Sequence, residues 1–161
     1  MNKLSAKRGF TLIEMVVTVA IISLLATVAL PMAEITVQRS KESELRVALR
    51  EIRNALDAYK QALDEGRIPK QAGKSGYPPS LKVLVDGVTD ESSPGKKVKI
   101  YFLRRIPRDP TFPDPTRPDD ESWGKRSYAS SYDAPEQGED VFDVYSLAPG
   151  VGLNGIAYKN W

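Results

Sequence analysis

The sequence predicts an α+β protein in which one long N-terminal helix packs on a small antiparallel β-sheet. Residues 15–33 carry no charged side chain, and this apolar run continues without a turn signal into an amphipathic stretch that ends near Gly66. Farther along, short apolar segments are separated by Gly- and Pro-rich stretches, a pattern typical of strands joined by turns. A helical half followed by strands favours the α+β class, in which the two kinds of element are segregated.

The apolar run is long enough to cross a membrane. About 20 apolar residues span the roughly 30 Å of bilayer hydrocarbon, and residues 10–33 meet that length with one acidic interruption. Lys3, Lys7 and Arg8 precede the run, and basic residues before a span predict that the N-terminus stays in the cytoplasm. A removable signal peptide or a signal anchor is the simplest alternative interpretation.

A single carboxylate, Glu14, lies inside this segment and is the only charged residue between Arg8 and Glu34. An acid at the centre of a membrane helix costs about 2.5–3.5 kcal/mol, and less near the interface. Pairing with an opposite charge can offset the desolvation of a buried acid and fix the register of the partners. We therefore expect Glu14 to meet a cation; the alternative is a side chain that reaches towards the lipid headgroups.

Residues 34–66 show the period of an amphipathic helix. The apolar stripe consists of Leu45, Ala48, Leu49, Ile52, Ala55, Leu56, Tyr59, Ala62 and Leu63. The opposite face, which we expect in solvent, carries Lys41, Glu42, Glu44, Arg46, Arg50, Glu51, Arg53, Asp57 and Lys60. Gly66 followed by Pro69 predicts the end of the helix. The stripe predicts that this half of the helix packs on a globular head.

The C-terminal half contains two good strand candidates, residues 123–128 and 141–146, joined by a hairpin loop around residues 133–138. Residues 81–85, which follow a pair of prolines, predict a short helical turn. Residues 98–103 are compatible with a strand or with another short helix. These elements predict a small head whose sheet packs on the apolar stripe.

The composition excludes several kinds of active site. The chain has neither cysteine nor histidine, so disulfides, thiol nucleophiles, Ser-His-Asp triads and the usual zinc sites are excluded. Neither common Gly-rich phosphate-binding motif is present. The formal net charge is +2, but Lys3, Lys7 and Arg8 supply three positive charges, so the side chains after Gly9 sum to −1. Hydrolysis by a pair of carboxylates stays open, because Asp and Glu are plentiful, but from the whole composition we expect neither an enzyme nor a nucleic-acid-binding protein.

An eight-residue motif leads directly into the span: Lys7-Arg8-Gly9-Phe10-Thr11-Leu12-Ile13-Glu14. It resembles the class III leader of type IV pilins and of the pseudopilins of type II secretion. The resemblance implies that a prepilin peptidase cuts between Gly9 and Phe10 and methylates the new N-terminus, which makes Phe10 an N-methylphenylalanine. It also implies that Glu14 is the family's assembly glutamate, which meets the new amine of a neighbouring subunit.

Pro31 lies inside the predicted helix, where it removes one backbone donor and crowds the carbonyl group of Thr27. We expect a kink or local melting of the helix there. In the family that the leader resembles, a proline at this place marks where the helix unravels as subunits enter the filament. The resemblance therefore implies an assembly role for Pro31.

Spaced islands of the C-terminal half extend the resemblance: Tyr77-Pro78, Ile106-Pro107-Arg108-Asp109-Pro110, Trp123-Gly124, Tyr128, Phe142-Asp143-Val144-Tyr145-Ser146 and Trp161. Together they are similar to the major pseudopilin of type II secretion. Type IV pilins commonly carry a C-terminal disulfide loop, which a chain without cysteine cannot form. The resemblance implies a pilin-like fold in four segments: a cleaved leader (1–9), a transmembrane and assembly helix (10–33), an amphipathic helix of the head (34–66), and a periplasmic αβ-loop with a small sheet (67–161).

Major pseudopilins, which this chain resembles, hold a calcium ion in the loop after the last strand. Ser146 falls at a matching ligand position, but Gly150 and Asn154 stand roughly where the resemblance leads us to expect aspartates. Calcium takes about six to eight oxygen ligands and binds more tightly as their negative charge increases. We therefore expect no firm cofactor, and at most a weak calcium site at Ser146 and Asn154. The favoured alternative is a closed turn held by glycines and the rings of Tyr158 and Trp161.

The sequence thus predicts a structural subunit that polymerises into the periplasmic pseudopilus of a type II secretion system and drives protein export across the outer membrane. Its expected partners are further copies of the chain, other pseudopilins, the prepilin peptidase, an inner-membrane assembly platform and membrane lipid, without nucleic acid. We expect one pass through the bacterial inner membrane, with a cytoplasmic N-terminus and a periplasmic head. The alternatives are a type IV pilus subunit, acting in adhesion, motility or DNA uptake, and a membrane-tethered binding module.

Overall fold

The computed structural model describes residues 9–70, 72–92 and 98–161. Its first element is helix α1, Leu12–Asp64. Residues 1–8, which belong to the predicted leader, lie outside the described residues. The chain divides into two compact units, the first ending at Arg39 and the second comprising Ser40–Trp161. Helix α1 contributes residues to both units, and Ser40–Trp161 is called the head below. The predicted long N-terminal helix is confirmed.

The first part of α1 exposes its apolar side chains. By length and composition, α1 is apolar enough here to cross a membrane. The hydroxyl groups of Thr18, Ser23 and Thr27 each donate a hydrogen bond of 2.7–2.9 Å to a main-chain carbonyl one turn earlier. Because apolar surroundings offer these hydroxyls no water, a partner within the helix lowers the cost of placing them in lipid.

Helix α1 continues through Pro31 without a break. We expected a kink or local melting of the helix at Pro31. The helix does not melt there in the subunit. Proline removes one hydrogen bond to the carbonyl group of Thr27, but the flanking bonds of the helix remain and hold the turn together. The assembly role of Pro31 stays a prediction.

In the head, α1 buries the entire predicted apolar stripe, from Leu45 to Leu63. The helix ends as Gly66 and Pro69 predicted. Gly66 has a φ of 74° and its N–H donates to the Leu63 carbonyl at 3.0 Å, while the Arg67 N–H donates to the Ala62 carbonyl at 2.9 Å. This pair of bonds is the Schellman pattern, which needs the left-handed conformation that glycine adopts readily.

The prediction that the charged face of α1 lies in solvent is wrong for one residue, Glu42. Glu42 is only 5% exposed, because the Leu153 main chain and the Tyr158 side chain lie over it and donate hydrogen bonds to its carboxylate. Both partners are more than 100 residues away in the sequence. The periodicity of α1 could not indicate this burial, since it depends on where the end of the chain returns to the helix.

The described part of the head contains four short strands in two antiparallel pairs. The first pair joins β1, Val88–Thr89, to β2, Lys99–Ile100. The second pair joins β3, Trp123–Arg126, to β4, Asp143–Ser146. The small antiparallel sheet of the predicted α+β fold is therefore confirmed, although it consists of two separate pairs.

Short helices complete the head. Helix α2 occupies Leu81–Asp86, as the sequence predicted. Two 3₁₀ turns occupy Asp119–Ser122 and Tyr158–Asn160. Residues 98–103, for which a strand and a short helix were both compatible, contain strand β2. Strand β1 escaped prediction because two residues are too short to show an alternating pattern.

The register of β3 and β4 explains why Trp123 is buried and why position 124 is a glycine. Trp123 lies opposite Ser146 and Gly124 opposite Tyr145. The Trp123 ring is buried, and its Nε1–H donates to the Pro107 carbonyl at 2.7 Å, which satisfies its only polar atom. A Cβ atom on Gly124 would collide with the Tyr145 ring. Glycine therefore lets the tyrosine ring lie across the neighbouring strand.

Asp90 links the end of β1 to the segment after α1. Its carboxylate accepts hydrogen bonds from the Ser92 hydroxyl at 2.6 Å, the Ser92 N–H at 2.9 Å and the Arg67 guanidinium at 2.9 Å. The Ser92 hydroxyl, followed by Arg67, lowers the pKa of Asp90 to about 2. Because this pKa lies below the unfolded value of about 3.9, Asp90 stabilises the fold above that value, and its contribution is lost as the pH falls through about 2.

We expect Asp90→Asn to unfold more easily at neutral pH than the wild type. We also expect its free energy of unfolding to fall less steeply between about pH 4 and pH 2, because one carboxylate with a lowered pKa is gone. Urea titrations of the full chain in detergent at several pH values measure both effects. Asp86→Asn, which alters an exposed carboxylate of α2, is the matched control. An Asp90→Asn slope equal to the wild-type slope would contradict the assignment.

Candidate functional site

The bond between Gly9 and Phe10 lies just outside α1, in chain without regular structure. Both residues are exposed, and the Phe10 ring is 82% exposed. A Cβ atom placed on Gly9 would meet nothing within 4 Å, so the fold of the subunit makes no demand for glycine here. Non-helical, accessible chain is what an endopeptidase needs, and the predicted cleavage position therefore has suitable geometry.

Glu14 and Thr11 form a capping box at the start of α1. The Glu14 Oε2 atom accepts from the Thr11 N–H and from the Thr11 hydroxyl, both at 2.7 Å, and the Glu14 N–H donates to Thr11 Oγ1 at 3.3 Å. This reciprocal pattern satisfies donors that the first turn of a helix leaves unpaired. The Thr-x-x-Glu spacing predicts such a box, a local role of Glu14 that its interpretation as a membrane-embedded charge missed.

Apolar side chains surround Glu14 along the exposed part of α1. The large ones with at least 47% exposure are Phe10, Leu12, Ile13, Met15, Val16, Val17, Val19, Ile21, Ile22, Leu24, Leu25, Met32, Ile35 and Val37. Soluble monomers rarely leave so continuous an apolar surface in water. The segment therefore needs lipid, other helices, or both around it, and Glu14 would share those surroundings.

Ser146, the first residue of the expected calcium site, is buried at the end of β4. Its hydroxyl donates to Asp109 Oδ2 at 2.5 Å and accepts from the Ala148 N–H at 3.0 Å. The other Asp109 oxygen accepts from the N–H and the hydroxyl of Thr111 at 2.7 and 2.6 Å. Asp109 therefore connects the proline-flanked turn to β4. The sequence placed Asp109 in a turn but gave no indication of its burial.

Asn154, the second expected ligand, lies exposed in a turn after β4. Its Oδ1 atom accepts from the Ile156 N–H at 3.0 Å. Gly150 has a φ of 118° and its carbonyl accepts from the Tyr158 N–H at 3.3 Å. Within residues 9–70, 72–92 and 98–161, no three acidic side chains converge as a metal site would require. Calcium binding at Ser146 and Asn154 stays a prediction.

Three charged residues of α1 face the end of the chain. Glu42 accepts from Leu153 and Tyr158. The Arg46 guanidinium lies 4.5 Å from the centre of the Trp161 ring. Arg53 donates to Asp143 Oδ1 at 2.8 Å, to the Val144 carbonyl at 3.1 Å and to the Trp161 main-chain oxygen at 2.9 Å. These contacts attach β4 and the following loop to the helix.

A cleft of about 680 Å³ lies between the segment after α1 and the β3–β4 connection. Its Lys74 and Glu139 side chains pair at 2.6 Å. Asp140 accepts from the hydroxyl groups of Ser75 and Ser127. Burial alone would raise the pKa of Asp140, but these hydrogen bonds and one from a main-chain N–H lower it below its usual value. The charges named here therefore hold two loops together.

Two curated proteins are similar to this chain over almost its full length. Type II secretion system core protein G of Pseudomonas aeruginosa is 31% identical over 158 residues, which cover 95% of this chain and 94% of that protein. The chain belongs to the core protein G family. Core protein G of Klebsiella pneumoniae is 27% identical over 157 residues, covering 96% of this chain and 94% of that protein. The resemblance to type II secretion pseudopilins is thereby confirmed.

Two further comparisons match only part of this core protein G family member. The family model of the prokaryotic N-terminal methylation motif matches residues 4–30. Fimbrial protein Q of Moraxella bovis is 39% identical over 67 residues, which cover 42% of this chain and 41% of that protein. No solved structure matches the chain significantly. Members of these families are structural pilin-like subunits and not enzymes, so the chain is a pseudopilin-like structural subunit.

Proposed function

We propose that the chain is the repeating subunit of a periplasmic pseudopilus, which a type II secretion system uses to drive proteins across the outer membrane. Membership of the core protein G family supports this function. The observation that carries it is an isolated carboxylate, Glu14, on an exposed apolar helix surface that begins beside the accessible Gly9–Phe10 bond. A filament of staggered subunits would give this surface its apolar partners and this carboxylate its cation.

Assembly begins with removal of the leader. In this proposal a prepilin peptidase cuts between Gly9 and Phe10 and methylates the amine of Phe10. Residues 1–9 are lost, and residues 10–33 anchor the subunit in the inner membrane with its N-terminus on the cytoplasmic side. Residues 34–66 and 67–161, which include the head, lie in the periplasm.

Glu14 then exchanges partners. In the single subunit its carboxylate accepts hydrogen bonds from Thr11. These bonds stabilise the start of α1 before the subunit is assembled. In the filament the carboxylate pairs with the cationic amine on Phe10 of a neighbouring subunit. Because an unpaired charge in a dry bundle is strongly unfavourable, the pair selects the correct stagger between subunits.

Further partners follow from the same proposal. An inner-membrane assembly platform adds subunits to the base of the filament, and other pseudopilins of the system join it. Pro31 provides the weak point of α1 at which the helix can extend as a subunit enters the filament, since one helical hydrogen bond is already missing there. Membrane lipid surrounds the apolar segment before assembly.

A type IV pilus subunit is the second candidate function. The similarity to fimbrial protein Q of Moraxella bovis favours it, but that similarity covers 42% of this chain. Over almost the full length the chain is similar to core protein G instead.

Deletion of the gene in its host tests the proposed function. We expect proteins normally exported by type II secretion to accumulate in the periplasm, and a plasmid copy of the wild-type gene to restore export. Twitching motility and surface pili, scored in the same strains, distinguish the two candidates. Intact export together with loss of pili or motility would overturn the pseudopilus function and favour the type IV pilus.

A further inference from the structure

We propose that the buried carboxylate of Glu42 fixes the C-terminal loop, residues 147–157, and that this loop therefore needs no calcium ion for its fold.

Glu42 acts as the centre on which donors of the loop region converge. One of its oxygens, Oε1, accepts from the Leu153 N–H at 2.7 Å and from the Tyr158 hydroxyl at 3.1 Å. The side chains of Glu42 and Tyr158 are both buried. Hydrogen bonds to a charged acceptor out of water are stronger than those between neutral groups. Glu42 thus binds the middle of the loop and the residue that directly follows the loop.

The carbonyl groups of the loop take part in a different set of contacts. The Gly150 carbonyl accepts from the Tyr158 N–H, the Gly152 carbonyl from the Gly155 N–H, and the Ile156 carbonyl from the Gly152 N–H. The Ile156 carbonyl also accepts from Trp161 Nε1–H at 3.2 Å. The turn of the loop is closed by these internal bonds.

This polarity suits an anion and disfavours a cation. A calcium site gathers about six to eight oxygen atoms around a positive charge. Here an N–H group and an O–H group donate to one carboxylate oxygen of Glu42, which is the reverse of the arrangement around a cation. The two side chains at expected ligand positions are also engaged, because Ser146 donates to Asp109 and Asn154 accepts from Ile156. The residues present therefore do not fit the calcium site that the family resemblance implies.

Two neighbouring side chains reinforce the attachment. Arg46 stacks on the Trp161 ring, and Arg53 donates to the main-chain oxygens of Val144 and Trp161. Glu42, Arg46 and Arg53 are four and seven residues apart, which places them within roughly 40° on one side of a helix. One stripe of α1 thus holds the loop region at several points, with Glu42 nearest the middle of the loop.

The experiment compares the full chain in detergent micelles with millimolar calcium and with an excess of chelator. For the wild type we expect equal Tm values and equal rates of elastase cleavage within residues 147–157, located by mass spectrometry. For Glu42→Gln we expect roughly tenfold faster cleavage in the loop under both conditions, since the charged acceptor is lost. Tyr158→Phe, which removes one donor and keeps the ring, should show a smaller increase.

Glu44→Gln is the matched control, because Glu44 lies two residues away on the exposed side of α1 and should leave cleavage at the wild-type rate. A fall in wild-type Tm or faster loop cleavage on chelation would overturn the proposal and restore calcium as the organising group. Equal cleavage rates for Glu42→Gln and the wild type would overturn it as well.

Discussion

Glu14→Val is expected to leave the subunit in the membrane and to lower filament yield at least tenfold. Valine removes the cost of placing a carboxylate in lipid, so insertion should improve slightly. It also removes the group that would select the stagger between subunits, and subunits without it have no electrostatic preference for the productive register. Sheared-filament yield, set against the amount of protein in the membrane fraction, measures the effect.

The capping box provides controls that separate two roles of Glu14. Thr11→Val removes the hydroxyl that binds Glu14 within the subunit but keeps the Thr11 N–H donor and the carboxylate, so it should weaken the helix start by about 1 kcal/mol and still permit assembly. Glu14→Gln keeps an acceptor for the cap but lacks the negative charge, and it should fail to assemble. Normal filament yield from Glu14→Gln would reject the pairing model.

Gly9→Ala is expected to block processing, so that the protein recovered from the envelope remains nine residues longer and lacks the methyl group on Phe10. The structure leaves room for the added Cβ atom, with no other atom within 4 Å. A loss of cleavage would therefore reflect recognition by the peptidase and not a change in the subunit. Intact-mass spectrometry of the wild type and of the variant distinguishes precursor from mature chain.

Leu12→Ala is a suitable control for Gly9→Ala, since Leu12 is an exposed neighbour outside the predicted cleavage position, and it should be processed normally. A mature mass without residues 1–9 in Gly9→Ala would refute the assignment of the cleavage site. Since the amine of Phe10 exists only after cleavage, Gly9→Ala should also lack filaments. That result is expected if processing and pairing are two steps of one pathway.

The elements of this chain that sequence patterns identified depend on local spacing. All nine residues of the apolar stripe of α1 are buried, and the helix ends through Gly66 as its turn chemistry indicated. A helix repeats every 3.6 residues, so apolar residues three and four positions apart in the sequence identify its buried face. Strands β3 and β4 were found for the same reason, through alternation and flanking turns.

The elements that sequence patterns missed depend on distant partners. Strand β1 pairs with residues ten and twelve positions away in β2, and β1 is too short to show a pattern of its own. Asp109 is buried because Ser146 and Thr111 surround its carboxylate. Glu42 is a charged residue in an amphipathic pattern, and only the return of Leu153 and Tyr158 to α1 removes it from water.

The sequence by itself determined the leader motif, the apolar span with its single acid, the helical stripe and the membership of a pseudopilin family. These properties are carried by residue types at fixed spacing along the chain. Only the tertiary structure decided which carboxylates of the head are buried and what they bind. The burial of Glu42, for example, depends on contacts with residues as many as 116 positions away, and these contacts form only when the end of the chain packs against α1.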